Sequence, residues 1–201
     1  MVTPEDTYQL LRNLTSPVGA ITSAHGGKRN GMIVDSAIRA SIVPTHPRLA
    51  VFIHKFNDSH DLIFESGSFV LHLLRRDQFE LIHHLGFAHL RDRDKLAEVP
   101  HRLGRMGAPV LDDCCAYFEC RVANAMDTGS STCFLGDVVE VGYGSASGAG
   151  PSDEVMTAAY FRAHIPAGWR PEYEAQLAAA QAFARERSAD IRPLTCRGLA
   201  R

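Results

Sequence analysis

No apolar run in this sequence is long enough to cross a bilayer: the longest reach about eight residues, against the ~20 a helical span needs. The start, MVTPEDTYQLL, has no basic region followed by an apolar one, so it does not read as a secretory leader. The expectation is a cytoplasmic protein with no membrane partner. No run of Lys and Arg alternates with aromatics, and the formal charge is only −2, which excludes an electrostatic footprint for nucleic acid. The cysteines, at 114, 115, 120, 133 and 196, are odd in number and form no C-x-x-C pair. That argues against a disulfide framework or a structural zinc site, and leaves reduced thiols packed as small hydrophobes.

Catalytic signatures are also missing. The cluster HHLGFAHLRDRD offers His83, His84 and His89, but neither an i,i+4 pair nor the H-E-x-x-H spacing that aims two imidazoles at one metal, so no metal is expected. In GSASG, Ala146 stands where a nucleophile elbow needs serine. Gly142, Gly144 and Gly148 miss the G-x-G-x-x-G spacing by one residue, with no helix starting there to receive a pyrophosphate.

What is present is ordinary globular material: 201 residues, 45% hydrophobic, enough for one domain with an appendage. PEDTYQLLRNL predicts a short first helix with Leu10, Leu11 and Leu14 on one side. PVGAITSAH and MIVDSAIRASIV predict a hairpin around GGKRNG. LAVFIH and SFVLHLL read as buried strands, NDSHDLIFESG and DQFELIHHLG as helices, and CAYFECRV through VVEVGYG as two long strands joined around Asp127 to Ser131. Strands outweigh helices through residue 143 without regular crossover helices, so the expected fold is mostly β: an antiparallel, partly closed barrel with flanking helices. Residues 144–152 read as a small-residue linker. Residues 153–201 read as a helical extension, capped by Asp153 and packed on the barrel or on a partner copy.

One stretch carries an unusual load of polar groups. In HKFNDSHDLIFE a helix start gathers Lys55, Asn57, Asp58, Ser59 and His60. Exposed N–H groups and the positive end of the helix dipole can hold a phosphate there. The alternative is that Asn57 or Asp58 is an ordinary N-cap and Lys55 a solvated strand end.

The ordered set VGAITSAH, NGM-IVDS, HKFNDSHDLI and SGSFVLHLL, followed by GAPVL, YFECRV and CFLGDVVEVG, resembles the flavin reductase-like family over roughly residues 8 to 143. The resemblance implies an FMN-binding split β-barrel of Greek-key type and a homodimer with flavin sites near the subunit interface. It implies an oxidoreductase that takes electrons from NAD(P)H through FMN, with FAD as the alternative, to free flavin, oxygen or a protein partner. By position, Met32, Ile33, Val34, Asp35 and Ser36 would approach the isoalloxazine and ribityl chain, and Lys55, Asn57, Ser59 and His60 the phosphate. Two departures stand out. Asp35 lies where similar proteins often have serine, which implies a lowered redox potential unless it is paired. Ser130 and Ser131 occupy the segment where many such reductases carry an aspartate-histidine pair near the nicotinamide. That departure leaves open an electron-transfer flavoprotein reduced by a protein, or a flavin-binding module without turnover, and raises His25, His46 or His164 as substitutes. No catalytic residue is identified from the sequence.

Overall fold

The computed structural model describes residues 3, 7, 10–14, 16–88, 93–144 and 155–192. Its centre is a seven-stranded antiparallel sheet: β1 (Gly19–His25), β2 (Lys28–Val34), β3 (Ala37–Arg39), β4 (Arg48–His54), β5 (Ser68–Leu73), β8 (Ala116–Asp127) and β9 (Ser131–Tyr143). The spatial order is β2-β1-β5-β8-β9-β4-β3. Strands β6 (His101–Leu103) and β7 (Pro109–Leu111) form a separate small hairpin, and β6 carries no clear strand signal in the sequence. The sheet curls around a core of Ile21, Met32, Val34, Val51, Ile53, Phe69 and Phe134, the half-open barrel that the strand pattern implies.

The first hairpin is tighter than GGKRNG suggests. His25 pairs with Lys28, so only Gly26 and Gly27 turn the chain, both at positive φ (57° and 78°), the backbone that two-residue hairpins require. Helix α1 (Asp58–Ser66) enters from the end of β4 and buries Leu62 and Ile63 against the barrel. Gly67, left-handed at φ 67°, closes it.

A second core lies outside the barrel. Val18, Ala20 and Leu74 meet Ile82 and Leu85 of α2 (Phe79–Gly86) and Ala158, Phe161 and Ile165 in and after α3 (Ala158–His164). The extension is therefore knitted into the domain. Its first helix is shorter than the sequence predicts, because Val155 and Thr157 form bridges to Arg75 and Pro17 instead. Thr157 caps that helix by accepting from the Tyr160 N–H (3.1 Å); Asp153, predicted for this role, lies outside the described residues, as do His89, Cys196, part of the predicted first helix and most of the predicted linker. After a 3-10 turn (Ala167–Trp169), α4 (Arg170–Arg187) runs over the domain without a single fully buried residue. Among the described residues no helix is long and apolar enough to cross a membrane.

Candidate functional site

A cavity of about 300 Å³ opens where β2, the end of β4, the start of α1, and the helices α2 and α4 converge. That volume is at the small end of ligand pockets, on the order of 300 to 1,000 Å³. Met32 and Ile33 of β2 form one wall, and Gly86 of α2 allows the close approach of Ile33: a Cβ there would meet Ile33 Cγ1 at 3.1 Å. Leu177 and Ala180 of α4 face the cavity from the roof. Three contacts pin that roof. Gln176 Nε2 donates to Phe87 O (3.0 Å), His83 Nε2 meets Glu172 Oε2 (3.1 Å), and Phe183 packs on Phe56 with ring centroids 5.6 Å apart.

Of the residues expected around a flavin, Met32, Ile33, Asp35 and Asn57 line this cavity. The others have partners elsewhere. Val34 is buried in the barrel core, as strand alternation from Ile33 requires. Ser36 Oγ donates to Phe52 O (3.0 Å). Ser59 and His60 share the α1 face of Ile63, so helical periodicity turns them inward: Ser59 accepts from Asn30 Nδ2 (3.0 Å), and His60 Nε2 lies 2.8 Å from Thr132 Oγ1. Lys55 Nζ donates to Asp127 Oδ1 (2.7 Å). Burial pushes the Asp127 pKa up, but bonds from Lys55, the Gly129 N–H and the Arg192 N–H outweigh it and hold the carboxyl below its usual range.

Asn57 bears on both readings of the helix start. It occupies the N-cap position with extended backbone (φ −80°, ψ 132°), yet its side chain makes no capping bond and lines the cavity. The first turn of α1 therefore keeps backbone donors that Asn57 does not satisfy.

The sequence reading missed His54, Asn30, Lys95 and the roof. His54, at the last position of β4, lines the cavity and places Nδ1 2.9 Å from Ser131 Oγ, its register partner on β9. Burial lowers the His54 pKa, partly opposed by the nearby Asp35 carboxylate, which favours the neutral imidazole. Asn30 and Lys95, both nearly fully buried, supply polar groups to an otherwise apolar slot. His25, His46 and His164 are not cavity residues; His164 stacks on Tyr160 at 4.0 Å. His84 Nε2 lies 2.7 Å from Lys95 O, and His83 stacks on Trp169 at 4.3 Å. A largely apolar cavity with a few charged and polar groups in its lining suits a heteroaromatic ligand carrying an anionic tail.

Comparison with known proteins follows this geometry. A family model described as "Flavin reductase like domain" matches residues 11–168, which include α3. Over 132 residues the chain is 32% identical to a high molecular weight rubredoxin of Moorella thermoacetica, covering 65% of this chain but only 57% of that protein. Over 122 residues it is 30% identical to a ferric-chelate reductase (NAD(P)H) of Archaeoglobus fulgidus, covering 60% and 71% of the two. A Streptomyces globisporus NADH:FAD oxidoreductase, solved with NAD and FAD fragments, superposes with a TM-score of 0.64 at 24% identity, covering 78% of this chain and 90% of that one. An FMN-binding protein from Thermus thermophilus aligns at 0.60 and 24% identity, over 64% and 72%. These two structures share the split-barrel fold.

Proposed function

Because the chain belongs to the flavin reductase-like domain family, we propose that it is a flavin-dependent oxidoreductase that binds FMN, with FAD as the alternative, in the cavity beneath α4 and takes electrons from NAD(P)H. The observation that carries this reading is the pairing of the Ile33 wall with the uncapped start of α1 in one slot: an apolar surface for a ring and backbone donors for a phosphate. When bound, the flavin supplies hydride acceptance and onward electron transfer. The protein's own residues orient and exclude. Ile33 would hold the ring from one side, with the Met32 position beside it, and Leu177 and Ala180 from the other, and the roof would keep water out. In the tautomer where the Ser131 hydroxyl donates to Nδ1, His54 presents Nε2–H as the donor of its ring toward the nicotinamide side of the slot. Asp35 shares this rim.

The electrons then pass to free flavin, oxygen or a redox protein. The last acceptor is favoured by the Moorella relative, a rubredoxin much longer than the region it shares with this chain. The visible spectrum of the purified protein, followed by anaerobic addition of NADH and then NADPH, tests the whole reading. A colourless protein that binds no added FMN rejects it; a flavoprotein that neither nucleotide reduces moves the assignment to an electron-transfer protein.

The chain is also read as a homodimer. Ile38, Ile42, Val43 and Val141 are exposed around an apolar groove on the β3–β4–β9 side, a large patch for a lone copy to leave in water. Cys114, Cys115, Cys120 and Cys133 are all free thiols, which suits a cytoplasmic setting.

A further inference from the structure

We propose that Lys95, with Asn30 in the same cavity, holds the terminal phosphate of the bound flavin against the start of α1. The assignment rests on the flavin reading and names the cation it needs. Lys55, the cation expected from the sequence, is already committed to the buried Asp127. Among the described residues lining the cavity the cations other than histidine are Lys95 and Arg162, and the Arg162 guanidinium donates to Arg12 O (3.2 Å).

Lys95 is 3% exposed. Its ammonium donates to Leu85 O (2.8 Å) and Ala88 O (3.0 Å) at the end of α2, which uses two of its three protons and leaves one for a ligand. An ammonium taken out of water is costly unless an anion repays it. Asn30, 2% exposed, points to a ligand independently. Its Nδ2 donates to Ser59 Oγ, while its Oδ1 is buried with no partner. If the carboxamide turns over, the Ser59 hydroxyl donates to Oδ1 and Nδ2 becomes a donor into the cavity. Asn30, Lys95 and the start of α1, a helix of nine residues, then converge on one anion.

The charges facing Lys95 are known. Asp58 on α1 favours its protonated form, and Arg93 in the preceding segment opposes it. Asp58 would also repel a phosphate, so a binding site here requires the Lys95 charge. Burial, the largest influence, brings the Lys95 pKa down to about 8. A dianion beside it raises that value again. FMN affinity should therefore fall as pH climbs above 8, and riboflavin affinity should not.

The test is equilibrium titration by flavin fluorescence from pH 7 to 9.5, comparing FMN with riboflavin on the parent protein, Lys95→Met, Lys95→Arg and Lys55→Met. The parent is expected to prefer FMN, less so above pH 8. Lys95→Met should lose about tenfold of that preference, the scale of one charge-assisted hydrogen bond. Lys95→Arg should keep the preference and remove its pH dependence, and Lys55→Met should leave it in place. Inorganic phosphate should compete with FMN and not with riboflavin. An FMN preference that survives in Lys95→Met, or one that is flat with pH in the parent, overturns the assignment while riboflavin binding leaves the flavin reading standing. If Lys95→Met fails to fold, the pH arm and Lys95→Arg decide. A parent that binds neither flavin overturns both.

Discussion

His54 Nδ1 lies 2.9 Å from Ser131 Oγ, joined across the β4–β9 pair by register. Under the proposed function, the imidazole absent from β9 would be supplied by the neighbouring strand. Hydride transfer needs donor and acceptor near contact, and a displacement of about 1 Å costs on the order of a hundredfold. His54→Ala should therefore slow anaerobic reduction by NAD(P)H by about ten- to a hundredfold, with flavin affinity little changed. Ser131→His, which crowds His54, should slow reduction as well. Stopped-flow absorbance measures both, and a Ser131→His protein faster than the parent would show that the β4 imidazole does not serve.

Lys55 should prove a stability residue. Asp127 is 5% exposed and Lys55 bridges β4 to it, so Lys55→Met strands a buried carboxylate. Losing one partner of a buried pair costs about 3–5 kcal/mol, reduced here to about 2 because two N–H bonds to Asp127 remain and Lys55 is partly solvated. Urea denaturation at pH 7 checks this, and an unchanged midpoint would place the strength of the junction elsewhere.

His72 sets an acid limit. It is fully buried between Ala20 O (3.1 Å from Nδ1) and the Leu111 N–H (3.0 Å from Nε2), a pattern that only the neutral ring satisfies. Burial drives its pKa from 6.5 down to about 4. Because the folded value is the lower one, the unfolded chain binds the extra proton between these limits. The stability is complete above pH 6.5 and is lost as pH falls toward 4, by about 3 kcal/mol in all. Urea midpoints from pH 7 to 4.5 should show this slope, and His72→Gln should flatten it.

The apolar groove makes a simpler prediction. Val141→Asp puts a carboxylate on an exposed strand position and should leave the fold intact while converting a dimer to a species near 22 kDa. Sedimentation velocity distinguishes the two, and a parent already monomeric at micromolar concentration would remove the groove's assigned partner.

Much of the barrel can be read from local pattern, because the short continuous apolar runs LAVFIH and SFVLHLL and the turn at Gly26–Gly27 are properties of neighbouring residues. The site was legible only in part. Met32 and Ile33 come from the family resemblance and Asn57 from its place at a helix start, whereas the Lys55–Asp127 and His54–Ser131 pairs join residues 72 and 77 positions apart through strand register. Lys95 sits in RDRDKL, which reads as a solvated charge run; its burial comes from the end of α2 folding over it. Ser59 and His60 were within reach of helical periodicity, since both precede Ile63 on its own face.

The cavity draws its walls from residue 18 to residue 180, while the last barrel strand ends at Tyr143. On a ribosome adding about 5–20 residues per second, the barrel strands are all made several seconds before Leu177 and Ala180 exist to close the slot. The ligand therefore cannot serve as the seed around which the early strands gather. Its capture is a late event in the life of each molecule, and a supply of ligand should affect how much nascent chain ends in the closed form more than how fast the barrel assembles.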